Sequence, residues 1–120
     1  MVHELSYDEE NGIIVLTFKN HFLHSDVQPI ISTIKKLLEG KPYRQGLVIM
    51  NSAYTVENRE TREDLSEGLT TLDVTEVAFV GLSAATRMIA KVLLKTGMVK
   101  IKGEFFNSQE EAIKWLKSKR

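Results

Sequence analysis

Residues 25–50 read SDVQPIISTIKKLLEGKPYRQGLVIM, and this stretch decides the fold class. Val27, Ile30, Ile31, Ile34, Leu37 and Leu38 recur at the i, i+3, i+4, i+7 spacing that gathers side chains on one face of a helix. Ser25 and Asp26 are residue types that cap a helix start. Pro29 falls in the first turn, where its missing N–H costs little. Gly40 stops the helix, with Pro42 just beyond. After Gly46, Leu47-Val48-Ile49-Met50 is apolar at every position, which predicts a strand covered on both faces, as in a parallel sheet.

Working outward, Asn11-Gly12 marks a tight turn between a weakly alternating segment (Leu5, Tyr7) and the apolar run of residues 13–18, so the chain opens with a β-hairpin. Residues 77–82 form another apolar run. Between it and residues 47–50, Leu65, Leu69 and Leu72 share a helical spacing, which predicts a helix over about 59 to 72 after a loop at 51–58. Ser83 caps a further helix whose stripe is Ala85, Met88, Ile89, Val92 and Leu93, ending at Gly97. Val99 and Ile101 alternate with Lys100, Lys102 and Glu104, the pattern of a protected edge strand. Ser108-Gln109-Glu110-Glu111 is a capping box before Ala112, Ile113, Trp115 and Leu116.

The order β-β-α-β-α-β-α-β-α predicts one α/β domain over residues 1–120. Its sheet is mixed, mostly parallel and five-stranded, with a leading hairpin and helices on both faces. Right-handed crossovers that add strands in one direction place every helix on one face, so covering both faces is expected to require a reversal in strand order.

Composition narrows function by exclusion. The 42% hydrophobic and 27% charged content is that of a globular chain. Without cysteine there are no disulfides, thiolate metal sites or thiol nucleophiles. The start, Met1-Val2-His3-Glu4, lacks the basic and apolar regions of a signal peptide, and no apolar run reaches the ~18 residues of a membrane span, so a cytoplasmic location is expected. A net charge of zero argues against nucleic-acid binding. Residues 1–74 nevertheless hold seven Lys plus Arg against twelve Asp plus Glu, and residues 75–120 hold nine against four. Those totals of −5 and +5 leave a homodimer or an acidic partner open.

The C-terminal sequence VAFVGLSAATRMIAKVLLKTG, leading into KIKGEFFNSQEEAIKWLKSKR, resembles the SpoIIAA-like proteins of the STAS superfamily. That resemblance implies their fold and a partner-binding or regulatory role. Antagonist-type STAS domains carry an Asp-Ser-Ser/Thr-Gly phosphorylation signature after the third strand. Here the corresponding residues are Asn51-Ser52-Ala53-Tyr54-Thr55, so Ser52 and Thr55 offer hydroxyls while the Asp and Gly are missing.

No serine sits in a G-x-S-x-G elbow, and Gly81-Leu82-Ser83 is too sparse for a phosphate loop, so neither an enzyme nor a cofactor is expected. His3, His21 and His24, with Asp26, do not complete a metal site. Two segments remain at the carboxyl edge of the sheet, where open α/β folds bind ligands. They are the loop bearing Asn51, Ser52, Tyr54 and Thr55, and the helix start from Ser83 to Arg87, suited to an anion. The expected function is a non-enzymatic module that binds a protein partner or a small anionic ligand through Asn51, Ser52, Tyr54, Thr55, Ser83 and Arg87. The alternative is a small carrier of an apolar or lipid-like ligand, as in CRAL-TRIO proteins. A polar edge cleft would favour the first and an apolar cavity the second.

Overall fold

The computed structural model describes residues 2–50, 54–84, 87–88 and 101–120. The helix expected from Ser83 to Gly97 and the strand start at Val99 fall largely outside these residues, as do Asn51 and Ser52. The elements are β1 (Glu4–Asp8), β2 (Ile13–Thr17), α1 (Val27–Leu38), β3 (Gln45–Ile49), α2 (Arg59–Thr71), β4 (Glu76–Val80), β5 (Lys102–Phe106) and α3 (Gln109–Ser118). Strand order is β1-β2-β3-β4-β5, with β1 antiparallel to β2 and all other pairs parallel. The sheet is thus mixed and five-stranded, as the sequence predicts.

The expected reversal in strand order does not occur, although both faces are covered. Helices α1 and α2 are crossovers between strands added in one direction, and they lie on one face with Ile14, Leu16, Phe18, Met50 and Val77. Helix α3 follows the last strand, connects to no further one, and is therefore free of the handedness rule. It folds onto the opposite face, where Ala112 and Leu116 meet Ile13, Leu47, Ala78 and Val80. Alternate residues of β2, β3 and β4 thus point into two separate cores, which is why the runs 13–16, 47–50 and 77–80 are apolar at every position.

Local chemistry shifts several boundaries. The hairpin loop takes four residues rather than a two-residue Asn-Gly turn, with Asp8 paired to Ile13. The Asp8 carboxylate accepts from the Asn11 N–H at 3.1 Å and from Asn11 Nδ2 at 2.7 Å, and Gly12 alone takes a positive φ, of 69°. A 3-10 turn at His24–Asp26 precedes α1. Instead of capping α1, the Asp26 carboxylate accepts from the Leu23 N–H at 2.9 Å and lies 3.2 Å from Nε2 of the buried His3. Helix α2 is capped by Asn58, which accepts from the Thr61 N–H at 2.8 Å. Ser108 caps α3 as the capping box predicts, accepting from the Glu111 N–H at 3.2 Å. The last strand begins at Lys102, three residues after Val99.

Helix α2 leans on α1. A Cβ on Gly68 would sit 2.7 Å from Ile31 Cγ1 and Cδ1, so only glycine permits this approach. Between α2 and the sheet lies a concavity.

Candidate functional site

That concavity is a cavity of about 370 Å³ between α2 and the β2-β3-β4 face of the sheet. Ile14, Leu16 and Phe18 line it from β2 and its end, Val48 and Met50 from β3, Val77 and Phe79 from β4, and Leu65 and Leu69 from α2. It extends from Ile14 to Phe18 along the strand direction, about 13 Å at ~3.3 Å per residue. Thr55, which is solvent-exposed, lines it at the carboxyl edge.

Gly46 lies in its floor. The sequence reads Gly46 as the residue before a strand, whereas it is the second residue of β3, paired with Ile14 on one side and Val77 on the other. A Cβ there would meet nothing closer than Ile14 O at 3.9 Å and Val77 Cγ2 at 4.0 Å. No backbone contact or turn requires glycine at this point. A glycine inside a strand otherwise weakens it, and often marks the close approach of something else.

The polar lining is sparse. Arg62 is the sole charged side chain lining the cavity among the described residues, and Ser66 lies one turn further along α2. Arg62 Nε is buried without an acceptor, and its guanidinium forms no ion pair among the described residues. Its neighbour Arg59, by contrast, is paired with Glu63 at 2.7 Å. The site residues expected from the sequence do not include Arg62, although residues 62, 65, 66 and 69 share the inward spacing of the α2 leucines.

The described residues among those expected at the carboxyl edge, Tyr54, Thr55, Ser83 and Arg87, are held in two groups. Thr55 is fixed to the segment after β2. Its N–H donates to His21 Nδ1 at 3.1 Å, and its carbonyl accepts from the Phe22 N–H at 2.8 Å. Tyr54 packs edge-on against the His21 ring at 5.8 Å. Arg87 turns to the far end of the edge, where Nη2 donates to Asn107 Oδ1 at 3.1 Å and to the Phe106 carbonyl at 3.4 Å. Ser83 is partly buried, and its carbonyl accepts from the Arg87 N–H at 2.9 Å. The first group is tied to β2 and the second to β5. β2 and β5 lie three strand spacings apart in the sheet, about 14 Å.

The three histidines go to three places. His3 packs against both Phe18 and Phe22, which also contact each other, and His21 holds Thr55. His24 Nε2 lies 2.6 Å from Asp64 Oδ2, and one donor atom from each of His24, Glu60 and Asp64 lies within 4.8 Å of the others. The sequence missed this trio because Glu60 and Asp64 arrive from α2. The Asp64 carboxylate holds the His24 pKa above its ordinary value, with Glu60 and Glu57 adding to the effect. As it stands, the trio is an exposed ion pair flanked by a second carboxylate.

Among the described residues no helix is long and apolar enough to cross a membrane. No curated protein is significantly similar in sequence. A solved structure from Shewanella loihica PV-4, an uncharacterised protein of the DUF3478 family with a SpoIIAA-like fold, superimposes with a TM-score of 0.64. The match covers 95% of this chain and 91% of that one at 15% identity. The fold expected from the C-terminal sequence is therefore the fold the chain adopts. Residues 7–120 match the model of a family described as a domain of unknown function, DUF7793, and the chain belongs to that family.

Proposed function

We propose that this domain is a non-enzymatic SpoIIAA-like binding module, and that its ligand is a small, largely apolar molecule held between α2 and the sheet. The observation that carries this reading is the 370 Å³ cavity with Gly46 in its floor. Its volume falls in the lower part of the ~300 to 1,000 Å³ range of ligand pockets. At ~30 Å³ per water-sized unit it has room for about twelve such units. The STAS-like regulatory role then becomes one of ligand sensing or carriage, with the carboxyl edge beside Thr55 as the way in.

Titration with 1-decanol, followed by methyl NMR, tests the reading. Saturable shifts are expected at Leu16, Val48, Leu69 and Val77, with none at Ala112 or Leu116 on the α3 face. Shifts that fail to saturate, or that centre on α3, would reject it.

A second reading, docking of a protein partner or a small anion at the edge, is supported by Arg87. Its Nε is buried without an acceptor, and Met88 beside it is 70% exposed. In this reading inorganic phosphate shifts the Arg87 Nε–H resonance, and Arg87→Ala abolishes the response. An unmoved resonance removes the anion from consideration.

A further inference from the structure

Resting on the cavity as the ligand site, we infer that its ligand is an aliphatic monocarboxylate, with its chain lying along β2 to β4 and its carboxylate on Arg62. An apolar cavity alone would hold any hydrocarbon of suitable size. The cation in its wall makes the choice narrower.

A guanidinium N–H that is buried without an acceptor is costly, because it has lost its water and gained nothing in return. Arg62 is in that state while acids surround it on the same helix: Glu63 is taken by Arg59, and Asp64 by His24. Nε is also informative as the atom without an acceptor. Together with an adjacent Nη it forms the side of the guanidinium that receives both oxygens of a carboxylate at once, a geometry lysine does not offer. Ser66 lines the same cavity one turn from Arg62.

Charge balance sets the head group. With Arg62 as the one charged residue lining the cavity among the described residues, a single negative charge is neutralised, whereas a dianionic phosphate would keep an unpaired charge in an apolar site. The rest of the ligand must be aliphatic and slender, because the remaining lining is chiefly Leu, Ile, Val, Met and Phe and the space follows the strands for about 13 Å.

Calorimetric titration of the whole chain with decanoate and with 1-decanol separates the head group from the chain. Wild type is expected to bind decanoate about ten- to a hundred-fold more tightly than 1-decanol, the range of a charge-assisted pair. Arg62→Gln should remove that preference, and Arg62→Lys should restore part of it. In wild type, the Arg62 Nε–H resonance should move with decanoate and stay still with 1-decanol, a readout that needs no variant. Equal affinity for the two ligands would overturn the carboxylate and leave the apolar site standing. A decanoate preference that survives Arg62→Gln, with a still Nε–H resonance, would place the head group elsewhere and overturn the inference. Failure of both ligands to bind would overturn the cavity reading and this inference together.

Discussion

Replacing Gly46 with valine should make the protein more stable and less able to bind. The new Cβ would stand 3.9 Å from Ile14 O and 4.0 Å from Val77 Cγ2, ordinary contact distances, and the branch would project into the cavity. Three added carbons at ~0.8 kcal/mol each contribute at most about 2.4 kcal/mol of burial. Removing a glycine from the unfolded chain contributes roughly another 0.4 to 1 kcal/mol. Side-chain ordering and imperfect contact offset part of this, so a net gain of about 1 to 2 kcal/mol is expected. With an unfolding entropy of ~2.1 cal/mol/K per residue over 120 residues, each kcal/mol moves Tm by about 4 °C, giving a rise of about 4 to 8 °C. The same carbons fill about three of the cavity's twelve or so water-sized units, so decanol and decanoate affinity should fall about tenfold or more. Calorimetry gives Tm, and titration of the same sample gives affinity. Gly46→Ala should gain about half the stability at little cost in binding. A valine variant destabilised by more than about 1 kcal/mol would show that the space is not open to a side chain. A stabilised variant with undiminished binding would show that ligands sit elsewhere.

Gly81 is the opposite case: at φ 89° an added Cβ would lie 1.9 Å from the Met50 carbonyl oxygen. Gly81→Ala should therefore cost at least about 2 to 3 kcal/mol, from left-handed strain plus loss of the Met50 to Val80 hydrogen bond, and a Tm loss under about 4 °C would contradict it. For His24 the folded pKa is raised above 6.5, so its pairing stabilises the fold fully below that pH and is lost as pH rises through the folded value. In an NMR titration Asp64→Asn should bring the His24 midpoint back toward 6.5; an unmoved midpoint would remove Asp64 as the cause. Asn58→Ala should cost about 1 kcal/mol in urea unfolding by freeing the Thr61 N–H and hydroxyl, and an unchanged midpoint would show the cap is dispensable.

The parts of the fold that were legible in the sequence are those where one local pattern has one physical solution. The α1 stripe from Val27 to Leu38, the Ser108 cap and the doubly buried runs around Leu47 and Val77 are of this kind. Strand order was not, because apolar strands report that both faces are covered without saying by what. A helix after the last strand covers a face as well as a crossover does. The site was harder still. Gly46 before an apolar run reads as punctuation, since its place beneath a helix depends on pairing with Ile14 and Val77. Arg62 in a helix as charged as α2 reads as solvated surface. Only its three-residue spacing from Leu65 and four-residue spacing from Ser66 betrays an inward position.

These departures from good packing are concentrated in one place. The α3 face of the same strands follows the rules: Ile13, Leu47, Ala112 and Leu116 are each no more than 1% exposed. Across the sheet, a strand interior carries glycine where a side chain would fit, and a helix turns a cation inward without an acceptor. Gly68 draws α2 toward α1, where a Cβ would collide with Ile31. General looseness would affect both faces. Here the glycine in the floor and the arginine in the wall border one volume, and each costs stability that an ordinary core residue would restore. Local rules broken together at one site are the mark of a site shaped for something other than stability. An aliphatic carboxylate would fill the floor and satisfy Arg62 Nε in one binding event.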